Sequence, residues 1–77
     1  MEQQIIGILQ SLRPEYTFDR SSRLIEDGML DSFDLTLLVA ELDQCYGISI
    51  DGVDIVPEHF ASLDTIMALL KKYGVDA

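Results

Sequence analysis

The run Asp27-Gly28-Met29-Leu30-Asp31-Ser32-Phe33 sets a single serine where a glycine loop ends and a long apolar-periodic segment starts. A hydroxyl at such a junction lies near solvent, beside backbone N–H groups without intrahelical partners and with the positive end of a helix dipole behind it. A phosphate ester would be well placed there. The plainer reading makes Asp31 or Ser32 an N-cap, and an isolated Asp-Ser pair is more often that. As a nucleophile, Ser32 would need a general base, and the sole histidine, His59, sits between Glu58 and Phe60 at a short helix start. No Gly-x-Ser-x-Gly elbow surrounds the serine, and no glycine-rich phosphate loop with a lysine occurs. The chain therefore reads as a non-enzyme, with no catalytic residue and with His59 as a surface or packing side chain.

One cysteine and one histidine build neither a structural zinc site nor an internal disulfide, so no metal site is expected. Cys45 falls on an apolar helical face without a basic neighbour, which predicts a small buried hydrophobe in a reducing compartment. Asp51-Gly52-Val53-Asp54 hints at a calcium loop but lacks the oxygen ladder and closing Glu, leaving a turn.

The elements that must position Ser32 follow from periodicity. Ile5, Ile6, Ile8, Leu9 and Leu12 predict a first helix over residues 2–13, ended by Pro14. Residues 14–31 show no sustained period but carry Tyr16, Phe18, Leu24, Ile25, Met29 and Leu30, which predicts a long loop pinned across the helices and containing a helical turn. A second helix is expected from Ser32 to Tyr46, stopped by Gly47. At ~100° per residue its Leu35, Leu38, Val39, Leu42, Cys45 and Tyr46 form a core-facing stripe. Phe33, Leu37 and Ala40 fall opposite, an exposed apolar strip edged by Asp34 and Glu41 on one side and Asp43 on the other. Three aligned apolar residues beside a displayed serine point to a docking face. Ile48-Ser49-Ile50-Asp51 alternates like a short extended segment, too isolated to found a sheet. Pro57 opens a short third helix through Phe60, and Ser62 caps a fourth from Leu63 to Tyr73, ended by Gly74 with Lys71 and Lys72 at its negative end. The expected class is all-α, in one domain over residues 1–77.

Hydrophobic residues make up 48% of the chain and charged ones 25%, a globular composition. At 77 residues, folding buries only about 60% of the unfolded chain's surface, so the core is small. The formal net charge is −9, and from Leu24 to Leu70 there is no Lys or Arg among Glu26, Asp27, Asp31, Asp34, Glu41, Asp43, Asp51, Asp54, Glu58 and Asp64. Such a surface repels nucleic-acid phosphates and anionic lipid and attracts basic patches on other proteins. No apolar run approaches the ~18 residues of a membrane span, and Met1-Glu2-Gln3-Gln4 lacks the positive start of a signal peptide, so a cytoplasmic protein without membrane insertion is expected.

The order of a long helix, a long loop, Gly-x-x-Asp-Ser-hydrophobic opening an acidic-edged helix, a short helix and a final amphipathic helix resembles the acyl carrier proteins of the phosphopantetheine-dependent superfamily. The resemblance covers nearly the whole chain. Through Leu24–Phe33 and Pro57-Glu58-His59-Phe60 it is closest to D-alanyl carriers and stand-alone peptidyl carriers, with Phe33 where the Asp-Ser-Leu motif usually has leucine. It implies a small four-helix bundle, three main helices and one short one, with the long loop between helices one and two. It also implies that Ser32 accepts phosphopantetheine from coenzyme A by a Mg²⁺-dependent transferase, with Asp31 as the motif acid, and that the arm's thiol holds acyl or aminoacyl cargo as a thioester. Partners would be that phosphopantetheinyl transferase, an acyl- or aminoacyl-activating ligase and downstream acyl-accepting enzymes, docking on Phe33, Asp34, Leu37, Ala40, Glu41 and Asp43 of a monomer. Two other readings stand beside it: a module of the same fold that regulates a partner and carries nothing, and an acidic helical inhibitor or adaptor in which Ser32 merely adjoins a cap.

Overall fold

The computed structural model describes residues 1–75. The described residues form three α-helices, α1 (Glu2–Leu12), α2 (Ser32–Tyr46) and α3 (Leu63–Lys72), with two short 3₁₀ helices, Gly52–Asp54 and Pro57–Phe60, between α2 and α3, and no strand occurs among them. The short helix expected from Pro57 to Phe60 forms over those residues, with 3₁₀ rather than α geometry, and Ile48–Asp51 pairs with no strand.

Helix α1 buries Ile5 and Leu9 and stops one residue before the predicted end, with Arg13 at φ −136° and ψ 77°. The pyrrolidine ring of Pro14 disfavours the α conformation in the residue before it, so the chain leaves the helix at Arg13. In α2, Leu35, Leu38, Val39 and Leu42 are buried, as their stripe predicts. Gly47 closes the helix at φ 64° and ψ 38°, its N–H donating to the Asp43 carbonyl. The Asp43 carboxylate also accepts the Ile50 N–H at 3.0 Å, which carries the chain from the helix end back to the core at buried Ile50.

Two expectations for α2 are corrected. Cys45 is exposed, not a buried core residue. It lies roughly 60° from the centre of the buried arc at ~100° per residue, in the last turn, so it escapes cover. Asp34, expected on the docking rim, is only 4% exposed. It lies on the same edge of the helix but in the first turn, where the chain around Arg13 covers it.

Residues 13–31 cross the helices as an ordered loop. Phe18, Leu24, Met29 and Leu30 are buried, and Tyr16 meets Phe18 edge-on with ring centroids 6.2 Å apart. Asp27 N–H donates to the Arg23 carbonyl at 3.0 Å, making the expected helical turn. Gly28 then takes φ 70°, a conformation glycine adopts without steric cost. This reversal lets Leu30 N–H reach the Leu24 carbonyl at 3.0 Å, while Leu24 N–H reaches Ala61 at 2.9 Å and anchors the loop beside α3. Helix α3 buries Leu63, Ile66, Leu69 and Leu70. Together with Phe60, Ile5, Leu9 and the buried stripe of α2 these form one apolar cluster.

Candidate functional site

Ser32 is the first residue of α2 and is exposed, as is Asp31 before it. Behind the serine, Asp31 and Asp34 form a reciprocal capping box. Asp34 N–H donates to Asp31 Oδ1 at 2.9 Å, and Asp31 N–H donates to Asp34 Oδ2 at 3.1 Å. Two orphan donors of the helix start are thereby satisfied. The N–H groups of Ser32 and Phe33, which have no intrahelical acceptor, remain turned outward with the dipole. The plainer sequence reading is thus resolved in favour of Asp31 as the cap, leaving Ser32 at the first helical position.

A buried carboxylate needs a partner. Arg13 supplies it: Nε and Nη2 both donate to Asp34 Oδ2, at 2.8 and 2.6 Å, and Nη2 also lies 3.4 Å from Asp31 Oδ2. Burial pushes the Asp34 carboxyl up, but the hydrogen bonds from Arg13 and Asp31 and the guanidinium charge outweigh it and hold the group below its ordinary value. The bond to Asp34 in turn raises the Arg13 guanidinium.

On the outer side of α2, Phe33 is 70% exposed and Leu37 38% exposed, and Ala40 and Glu41 also face solvent. The apolar strip expected from periodicity is therefore present. Its edges differ from expectation, because Asp34 turns inward and Asp43 is half-buried on the Ile50 N–H, leaving Glu41 as the free acid. His59 is half-buried, and its Nδ1 lies 2.8 Å from the Asp54 carbonyl, a contact that makes this nitrogen the donor.

Asp54, read from sequence as part of a plain turn, is a second buried carboxylate, 8% exposed. It accepts Tyr73 Oη at 2.5 Å and Lys72 Nζ at 3.0 and 3.1 Å, while Tyr73 Oη accepts the Asp51 N–H at 2.9 Å. The Tyr73 hydroxyl and then the Lys72 ammonium hold the Asp54 carboxyl below its ordinary value. The turn at Gly52–Asp54 is thereby locked to the end of α3. No local signal announces this network, since the partners lie 18 and 19 residues downstream. For the Arg13 clamp there were two signals, the Asp31-x-x-Asp34 spacing of a capping box and an arginine forced out of its helix by Pro14.

No protein family, curated protein or solved structure matches this chain. What the site does rests on its own geometry.

Proposed function

We propose that this protein is an acyl or aminoacyl carrier, akin to D-alanyl and stand-alone peptidyl carriers, that takes phosphopantetheine from coenzyme A on Ser32. The observation that carries this reading is the placement of Ser32. It is a solvent-facing hydroxyl at the first position of a 15-residue helix, with Asp31 and Asp34 on either side of it bonded to each other in the cap. The residues fit the group. The Ser32 hydroxyl is open to a transferase, and the outward N–H groups of Ser32 and Phe33 favour the charge of a phosphodiester. When bound, the arm supplies a thiol that holds cargo as a thioester.

In this reading the three α-helices and the short turn at Pro57–Phe60 make the four-helix carrier bundle, and the chain works as a cytoplasmic monomer. Its partners are the phosphopantetheinyl transferase, an activating ligase and acyl-accepting enzymes. They read Phe33, Leu37 and Ala40 as the apolar centre of a docking face and Glu41 as its charged rim. The tether keeps cargo at high effective concentration beside each active site, and the chain's negative field steers the encounters.

Incubation with coenzyme A, Mg²⁺ and a broad-specificity transferase should add one phosphopantetheine by intact mass, and none to Ser32→Ala. A gain of the same size in Ser32→Ala would move the attachment elsewhere. No gain in the wild type would leave the module that binds partners and carries nothing.

A further inference from the structure

We propose that Arg13 is the positioning residue for Ser32, a clamp that makes the order of the first turn of α2 depend on the end of α1. The inference rests on the carrier reading where it concerns modification, but the clamp itself can be tested without it. The serine lies between the two acids that the guanidinium binds, Asp31 directly before it and Asp34 two residues after. Arg13 Nε and Nη2 converge on the same Asp34 oxygen that accepts the Asp31 N–H. A ring of charge-assisted bonds thus ties together the residues on either side of Ser32 in sequence.

The clamp cannot be exchanged for a generic cation. Arg13 reaches Asp34 and Asp31 together because its planar fork offers several fixed donors, with Nη1 also 3.4 Å from Glu15. Lysine would place one point charge at the end of a stem and meet one acid at a time. Without any cation, the Asp34 carboxylate is buried and unpaired, and it can regain solvation only by swinging out. The Asp31 N–H then loses its acceptor, the capping box opens, and Ser32 samples positions outside the helix start. The effect is specific to this turn. Leu38 and Leu42, further along α2, are held by the apolar core.

Two measurements on the full chain decide it. In Arg13→Met, which keeps an apolar stem, the amides of Asp34 and Leu35 should exchange with deuterium roughly tenfold faster, while those of Leu38 to Leu42 keep wild-type protection. In parallel, kcat for phosphopantetheine transfer should fall, by up to about a hundredfold, the cost of a ~1 Å misplacement of a reacting group. KM for the chain should change less than kcat, because Leu37, Ala40 and Glu41 are untouched and only Phe33 of the docking face lies in the loosened turn. Arg13→Lys should recover part of both, and it carries the test if Arg13→Met does not fold. Tyr73→Phe, which loosens the other buried carboxylate, should change neither kcat nor the exchange of Asp34 and Leu35. Wild-type exchange at Asp34 and Leu35 in a folded Arg13→Met would overturn the clamp, as would an equal fall in kcat for Tyr73→Phe. If the wild type takes no phosphopantetheine, the carrier reading fails, and the exchange data alone decide for or against the clamp.

Discussion

Helices α2 and α3 start with the same device and put it to opposite uses. Each has a reciprocal capping box, Asp31 with Asp34 and Ser62 with Thr65. At α3 the first helical residue is Leu63, fully buried, and the box is uncharged. At α2 the first residue is Ser32, in solvent, and the box is an acid pair held by Arg13. A cap by itself therefore marks no site. What distinguishes α2 is that an ion pair drawn from a different helix end secures a turn whose leading residue contributes nothing to the core.

The contrast breaks most easily by truncation at the two equivalent positions. Leu63→Ala should destabilise by about 2 to 5 kcal/mol, the range for emptying a buried leucine site, and Ser32→Ala by less than ~0.5 kcal/mol as a surface change. The same test applies along α2: Leu38→Ala, fully buried, belongs to the first class, and Leu37→Ala, 38% exposed, should cost far less. Denaturant midpoints measured on the four variants check this. Equal losses for Leu37 and Leu38 would mean that the phase of α2 is misassigned.

A smaller effect separates the boxes by their response to acid. Asp34 and Asp54 both titrate below the ordinary value of 3.8 in the folded chain. A depressed carboxyl contributes stability that is fully present above the unfolded pKa and is lost as pH falls through the folded one. The chain should therefore hold its stability from neutral pH down to about 4 and lose it below that. Asp34→Asn should lower stability at neutral pH and flatten the acid limb. Ser62→Ala, which removes an untitratable cap, should cost about 0.5 to 2 kcal/mol equally at every pH. Thermal midpoints taken across the acid range should show two curves of different slope. Parallel curves would mean that the charge on Asp34 adds nothing to its cap.

The same two helix starts show how far sequence alone reached. Both helix starts, the Gly47 stop and the buried stripe of α2 were legible because they are local, set by turn chemistry and a 3.6-residue period. The lost information is what covers a given edge at a given height along the helix. Asp34 and Cys45 project from nearly the same side of α2, yet the first turn lies under Arg13 and the last lies open. Periodicity assigns an angle and is silent about cover, so it exchanged their environments. Asp54 was illegible for the related reason that Lys72 and Tyr73 reach it only once α3 has folded back. The exposure of Ser32 was legible because it follows from helix start and cap alone.

The smallest expected effect concerns the outer face of α2, and it depends on the correction at Asp34. Reversing both Asp34 and Glu41 would confound docking with collapse of the clamp, so the test of the rim is Glu41→Lys alone. An exposed rim charge acts chiefly on the rate of encounter, and its influence is screened by salt. Glu41→Lys should therefore slow phosphopantetheine transfer a few-fold at low ionic strength, with the difference from wild type vanishing as salt rises. Leu37→Ala should instead speed dissociation of the transferase complex, with a salt dependence like that of wild type, because lost apolar contact acts on the bound state. Transfer rates at limiting chain concentration, followed across salt concentrations, separate the two. If Glu41→Lys matches wild type at the lowest salt while Leu37→Ala does not, the face is read through its apolar strip and Glu41 serves solubility. If neither variant differs, the transferase meets Ser32 without using this side of the helix.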